Sequence, residues 1–205
     1  MSRAVQLIEK NYGTHRGYVR TLLGQAEYLL GSIAPFLSLQ PENVRRLAFV
    51  CLGNINRSAF AESAARLRGA NTCSFGLSAS TGRPAYAKAL ELAPRFRADL
   101  SCHQTTDIAD YQHETGDLLI AMEIRHARRL VACGYPAESI ILLGNWATPH
   151  RIHIHDPYSL SDEYFMSCFT IINSAVQNLI DTLKRLPSPC LLNEHKPDAL
   201  HCLRD

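Results

Sequence analysis

A cysteine that closes an apolar run, followed at a fixed short distance by an arginine and a serine, has the makings of a nucleophile facing an anion. In FVCLGNINRSAFAESAARLRG (49–69), Cys51 ends the run, Gly53 and Asn54 follow, and Arg57 and Ser58 open an alanine-rich stretch. If Cys51 ends a strand and Ser58 starts a helix, the loop between them sits at the carboxyl end of a parallel strand, where open α/β sheets place ligands. The backbone N–H groups of Leu52, Gly53, Asn54, Ile55 and Asn56, with those of the helix's first turn, then converge as a cup for a tetrahedral anion. Gly53 permits, and Asn54 tolerates, the positive φ that such a loop needs. Arg57 adds a planar fork of donors for two anion oxygens. Thiolates are favoured in surroundings of this kind, and a thiolate under a bound phosphate can attack phosphorus to give a cysteinyl-phosphate that water hydrolyses. Ser58 is placed to donate its hydroxyl to the sulfur.

Displacing an aryl oxygen this way calls for a proton donor. The stretch HIHDPYSLSDEYF (153–165) offers Asp156, with Pro157 biasing it away from helical geometry and Tyr158 able to wall an aromatic substrate. Asp110, Asp117 and Asp162 also exist, but they read as helix-start or strand-edge residues.

The elements that must position these residues follow from the pattern of the chain. Its 205 residues suffice for one domain with some length to spare, and a formal charge of +2 does not suggest a nucleic-acid partner. Seven cysteines without a CxxC pair argue against a disulfide framework or zinc ribbon and for a cytoplasmic location. No apolar run approaches the roughly 18 residues of a membrane span.

Apolar runs at 46–51, 72–79, 117–122 and 139–144 read as strands, three of them hydrophobic enough to be covered on both faces. Helix-compatible segments lie between, so the expected fold is α/β, a four-stranded parallel sheet flanked by helices. A last helix is expected from Asp162 to Leu186 with Ser161 as its N-cap. Residues 45–186 form the expected main domain, residues 1–44 a helical extension, and 187–205 a tail. In the extension Tyr18, Leu22, Leu23, Ala26, Leu29 and Leu30 recur at helical spacing. That stripe must bury one face on something: the core, a second copy in a homodimer, or the mouth of the site.

With Cys51, Arg57, Ser58 and the DPY triplet identified, the chain from about Arg46 to Leu186 resembles the low-molecular-weight protein tyrosine phosphatase family. FVCLGNINRS is similar to the family's phosphate loop and HDPYS to its acid loop. LLIAMEIRHARRL and IILLGNW resemble the bacterial branch that dephosphorylates autophosphorylating tyrosine kinases of capsule and exopolysaccharide export. The resemblance implies Cys51 as nucleophile, Arg57 as phosphate clamp, Ser58 as thiolate stabiliser and Asp156 as general acid. It implies no cofactor or metal, a phosphotyrosine protein as partner, and Asn54, Ser74 and His103 as a network behind the loop. The chain departs from the family at Asn56, where many members carry a second cysteine, at Ala59 in place of proline, and at Thr106 and Asp107 in place of an Arg-Gln pair.

Two other functions share some of these features. Arsenate reductases use the same loop with a relay of further cysteines, and a phosphoprotein-binding module needs the cup without turnover. His150, His153 and His155 beside Asp156 raise metal binding, for which a further ligand set at suitable spacing is missing. Trp146 reads as cover for the sheet edge or pocket rim, and STGRPAY (80–86) as part of that rim.

Overall fold

The computed structural model describes residues 3–186, so the expected tail at 187–205 lies outside the described residues. Two helices, α1 (Arg3–Tyr12) and α2 (His15–Leu29), precede the sheet, and Thr14 caps α2 by accepting from the Gly17 N–H. Short 3-10 turns at Ala34–Phe36 and Pro41–Asn43, each with proline in its first turn, lead into strand β1 (Arg46–Cys51).

The remaining elements alternate as the apolar runs predict. They are α3 (Arg57–Arg66), β2 (Thr72–Gly76), α4 (Ala87–Leu92), β3 (Asp117–Ala121), α5 (Ile124–Ala132), β4 (Ile140–Leu142) and α6 (Asp162–Arg185). All strand pairs are parallel, in the order β2-β1-β3-β4. Ser161 caps α6, accepting from Tyr164 N–H, and Asp162 and Glu163 lie in its first turn, where the helix dipole favours them.

Side chains alternate across β1. Leu47, Phe49 and Cys51 join the core with Phe60 of α3 and with Phe165 and Phe169 of α6, whereas Ala48 and Val50 join the opposite core with Leu130 of α5, Ile33 and Phe36. Phe60 and Phe169 stack with centroids 3.9 Å apart, which locks α3 to α6. This double coverage is why the strand reads as one unbroken apolar run.

Three elements end earlier than the sequence suggests. The second strand stops at Gly76 because the chain there must turn under the loop after β1, where an added Cβ would stand 2.7 Å from Leu52 O. Pro94 cuts α4 at Leu92 and leaves a 3-10 turn over Ala93–Phe96. The fourth strand keeps three residues before a 3-10 turn at Leu143–Trp146.

The extension departs further from expectation. Leu22, Leu23, Leu29 and Leu30 are 53, 58, 76 and 82% exposed, while Gly17 and Gly24 are the buried residues of α2. The helix thus seats on the domain through its glycines and turns its leucine stripe outwards. Among the described cysteines, Cys51, Cys73, Cys133 and Cys168 are free thiols and Cys102 is disulfide-bonded. Among the described residues no helix is long and apolar enough to cross a membrane.

Candidate active site

Strand order reverses beside β1, and the loops after β1 and β3 open there at the carboxyl edge of the sheet, the expected ligand position in a parallel fold. The loop 52–56 leaves β1 at Cys51 and enters α3 at Arg57. Cys51 Sγ lies at its base, 3.0 Å from Ser58 Oγ and 3.3 Å from the Asn54 N–H that donates to it.

Asn54 holds the loop's shape. Its φ of +55° is left-handed, and its buried side chain donates to Ser58 Oγ (2.9 Å) and Ser74 Oγ (2.7 Å) while accepting from Thr106 N–H (2.8 Å). Behind it, His103 Nε2 is 2.7 Å from Asn54 O, and Ser74 Oγ donates to Glu62 Oε2 at 2.6 Å. Asn54, Ser74 and His103 are therefore in one network, to which Glu62 also belongs. The Thr106 contact comes from the backbone, so the residue type at 106 matters little for it. From the other side, the Tyr86 N–H donates to Ile55 O.

Arg57 is fully buried. Its Nη1 donates to Glu123 Oε1 (2.6 Å) and to Ile154 O (2.9 Å), and its Nη2 to Asp156 Oδ2 (2.6 Å). Its Nε has no partner, leaving one strong donor unspent at the site. Desolvation opposes the charge, but Asp156 and Glu123 more than offset it and keep the guanidinium protonated. Burial alone would raise Glu123, yet Arg57 and the nearby cations hold it well below the usual carboxylate range.

Glu123 and Glu62 were not singled out from the sequence. A signal for Glu123 existed: it follows the third apolar run directly, the same strand-end position that pointed to Cys51.

A cleft of about 190 Å³ above Cys51 is lined by Leu52, Gly53, Ile55, Ser78, Asp156 and Tyr158, among others. Tyr158 is 53% exposed, and its ring lies 5.0 Å from that of Tyr86, so two aromatic rings stand at the rim. A larger cavity of about 460 Å³ lies against Glu62, Ser74 and His103, on the far side of the Asn54 network, and touches none of Cys51, Arg57 or Asp156.

His153 and His155 lie near each other, 5.8 Å between centroids, and His153 Nδ1 is 3.6 Å from Glu123 Oε2. Among the described residues no group of three or more His, Cys, Asp or Glu side chains is arranged to hold a metal ion. His150 packs instead on Tyr28, and His155 on Thr14. Trp146 packs against the core on the α6 side, its carbonyl accepting from Asn178.

A thiol beside the Asn54 amide, a buried guanidinium with a free donor and a carboxyl lining the same cleft are together an arrangement that can hold an oxyanion. Known proteins agree with that geometry. The chain is 30% identical over 139 residues to the low molecular weight protein-tyrosine-phosphatase Wzb of Escherichia coli (strain K12), covering 65% of this chain and 92% of Wzb. The crystal structure of the Erwinia amylovora tyrosine phosphatase AmsI superposes with a TM-score of 0.63 at 27% identity, over 69% of this chain and 95% of that one. Vibrio vulnificus Wzb in complex with benzylphosphonate matches with a TM-score of 0.58 at 29% identity, over 70% and 99%. The sequence profile described as Low molecular weight phosphotyrosine protein phosphatase matches residues 46–188, which include every side chain just placed around Cys51. The chain therefore belongs to the low molecular weight phosphotyrosine protein phosphatase family and is a protein-tyrosine-phosphatase.

Proposed function

We propose that this phosphatase acts in the cytoplasm on a tyrosine-phosphorylated protein of polysaccharide synthesis or export, an autophosphorylating tyrosine kinase above all, through a cysteinyl-phosphate on Cys51. The observation that carries the mechanism is that Cys51 and Asp156 line one cleft, with Cys51 Sγ accepting from the Asn54 amide and Asp156 2.6 Å from Arg57. The likeness of residues 118–130 and 140–146 to the capsule and exopolysaccharide branch supports the substrate class. The apolar lining from Leu52 and Ile55, with Tyr158 and Tyr86 at the mouth, suits an aromatic leaving group.

In the first step the Cys51 thiolate attacks phosphorus and the P–O bond to tyrosine breaks. Asp156, protonated, gives its proton to the departing phenolic oxygen. In the second step water attacks phosphorus and loses a proton to Asp156, and the S–P bond returns its electron pair to Cys51, where the Ser58 hydroxyl stabilises the thiolate. The loop amides of residues 52–56 and the Arg57 fork hold the equatorial oxygens throughout. Asn54, Ser74 and His103 keep the loop in shape.

The exposed leucines of α2 support pairing of two copies through the N-terminal helices. Arsenate reduction on the same loop needs a second thiol within reach of Cys51 and has no use for Asp156, so the phosphatase reading is preferred.

Metal-free hydrolysis of an aryl phosphate across pH, in wild type, Cys51→Ser and Asp156→Ala, tests the mechanism. Cys51→Ser is expected to be inactive, and rapid acid quench of the wild type to trap phosphate on Cys51. Turnover that survives Cys51→Ser would end this reading. Release of phosphate from phosphotyrosine but not phosphoserine peptides tests the substrate class.

A further inference from the structure

We propose that the α1–α2 hairpin is a positioning element for the loop that carries Asp156, so that protonation of the leaving group depends on residues outside the phosphatase domain proper. The inference rests on Asp156 being the general acid. The family match begins at residue 46, so the hairpin lies outside the matched region.

Its contacts fall on both flanks of Asp156. On the N-terminal flank, Arg151 donates to Asn11 O and lies over the Tyr12 ring, 4.6 Å from its centroid. The Tyr28 ring is 4.9 Å from His150. Gly24 faces His153 and Ile152, where an added Cβ would stand 3.6 and 3.7 Å from them, and Gly17 faces His155 more closely, at 2.8 Å. Thr14 Oγ1 is 3.3 Å from His155 Nε2. On the C-terminal flank, Gly13 presses on Leu160 and Tyr164, and the Tyr164 hydroxyl donates to His155 O at 3.1 Å.

The segment 150–155 is not part of the sheet. Two backbone–backbone hydrogen bonds tie it to the rest of the domain among the described residues, Arg151 N–H to Gly144 O and Ile154 N–H to Met122 O, and side chains hold two of its carbonyls, Arg57 Nη1 that of Ile154 and Tyr164 Oη with Cys168 Sγ that of His155. A loop held by so few backbone bonds takes its placement from the side chains packed on it, and misplacing a catalytic group by about 1 Å can cost about a hundredfold in rate. The hairpin supplies part of that packing, on His153 and His155, while Ile152 and Ile154 are buried in the two cores. The glycines explain why it can: with no side chain at 13, 17 and 24, the helices approach the loop to backbone distance.

The test compares kcat/KM, which reports the first chemical step, for two esters in the full-length protein. Phenyl phosphate needs a proton for its leaving group, and 2,4-dinitrophenyl phosphate does not. Gly24→Leu wedges α2 off residues 152–153, Gly24→Ala places a methyl at ordinary contact distance as control, and Thr14→Val removes the hydroxyl facing His155. For Gly24→Leu and Thr14→Val the expected result is a loss of about tenfold or more on phenyl phosphate with less than about twofold change on the dinitrophenyl ester, part of the 10²- to 10⁴-fold that a general acid supplies. Gly24→Ala should match wild type on both. Asp156→Asn in the same series separates the two claims: if it lowers both esters equally, the acid assignment fails first. If Asp156→Asn loses selectively on phenyl phosphate while Gly24→Leu, folded by circular dichroism, matches wild type or loses both esters in parallel, the hairpin's role is overturned. Should Gly24→Leu not fold, Thr14→Val decides by the same criterion.

Discussion

Arg57 Nη2 stands 2.6 Å from Asp156 Oδ2, so the cation proposed to clamp phosphate and the carboxyl proposed to protonate the leaving group hold each other. Nη1 is committed to Glu123 and Ile154 O, whereas Nε has no partner. A two-point grip on phosphate therefore uses Nε and Nη2, and taking Nη2 means displacing Asp156. On the proposed mechanism, substrate binding is expected to release Asp156 from the clamp.

Competition of this kind makes Asp156→Asn gain something as well as lose. Asp156→Asn leaves Nη2 only a neutral, weaker acceptor and deletes a negative charge beside the bound anion. Vanadate or inorganic phosphate is expected to inhibit this variant more tightly, by about threefold to tenfold, one hydrogen bond's worth of competition. Its turnover of phenyl phosphate falls over the same comparison. An inhibition constant that is unchanged or weaker would mean that Asp156 and the anion do not compete for Arg57.

Glu123 bears on the same arginine from the far side. Both side chains of this ion pair are almost fully buried, and removing one partner leaves an uncompensated charge. Glu123→Ala is expected to lose about 3–5 kcal/mol of stability in denaturant titration. Glu123→Gln keeps an acceptor for Nη1 and should fold, but with the guanidinium less firmly aimed its kcat/KM falls by about tenfold. Wild-type kinetics in Glu123→Gln would show that Ile154 O and the loop suffice to aim Arg57.

Glu123 also marks where sequence reading reaches its limit. The run to Cys51, Asn54 in the loop and the cap at Ser161 are local signals, and each predicted its element, whereas Gly53 takes no positive φ and the left-handed turn falls on Asn54. The neighbourhood of Arg57 and Glu123 depends on β1 pairing with β3 in one register, Phe49 opposite Ile120 and Val50 opposite Ala121, which hydrophobic period does not specify. The extension fails differently. Periodicity finds the stripe of Leu22, Leu23, Leu29 and Leu30 but not which side meets the domain, and Gly17 and Gly24, which read as weak points of a helix, are its packing face.

Asn54 combines a backbone demand with a side-chain one, and substitutions separate them. Asn54→Ala loses three hydrogen bonds and places a Cβ residue at φ +55°, at a cost of about 1–2 kcal/mol for the backbone alone. Asn54→Gly loses the same bonds without the backbone penalty. Glycine is therefore expected to be the more stable of the two by about 1 kcal/mol, the reverse of the order inside a helix. Alanine equal to or above glycine in thermal melts would contradict a loop held in this conformation by Asn54.

The histidines packed around Glu123 set how the fold responds to acid. Burial, reinforced by Arg57, pushes His126 down to about 3, and burial pushes His153 down to about 4, from an ordinary value of 6.5. His155 is lowered as well, chiefly by burial. Below pH 6.5 the unfolded chain takes up protons at these rings that the native state refuses. Stability is thus full above pH 6.5 and is lost as pH falls towards 4, with a limiting slope of about 1.4 kcal/mol per pH unit for each histidine. Glu123, held low by Arg57, adds a loss of the same sign only below its ordinary range near 4.5. Urea midpoints are expected to fall between pH 7 and pH 5, and His126→Gln, which cannot titrate, should flatten that fall by up to one histidine's share even if it lowers the plateau at pH 7. A wild-type midpoint constant over this range, or an unchanged slope in His126→Gln, would mean that these rings are protonated in the native state and that the cluster behind Arg57 carries more positive charge than its burial allows.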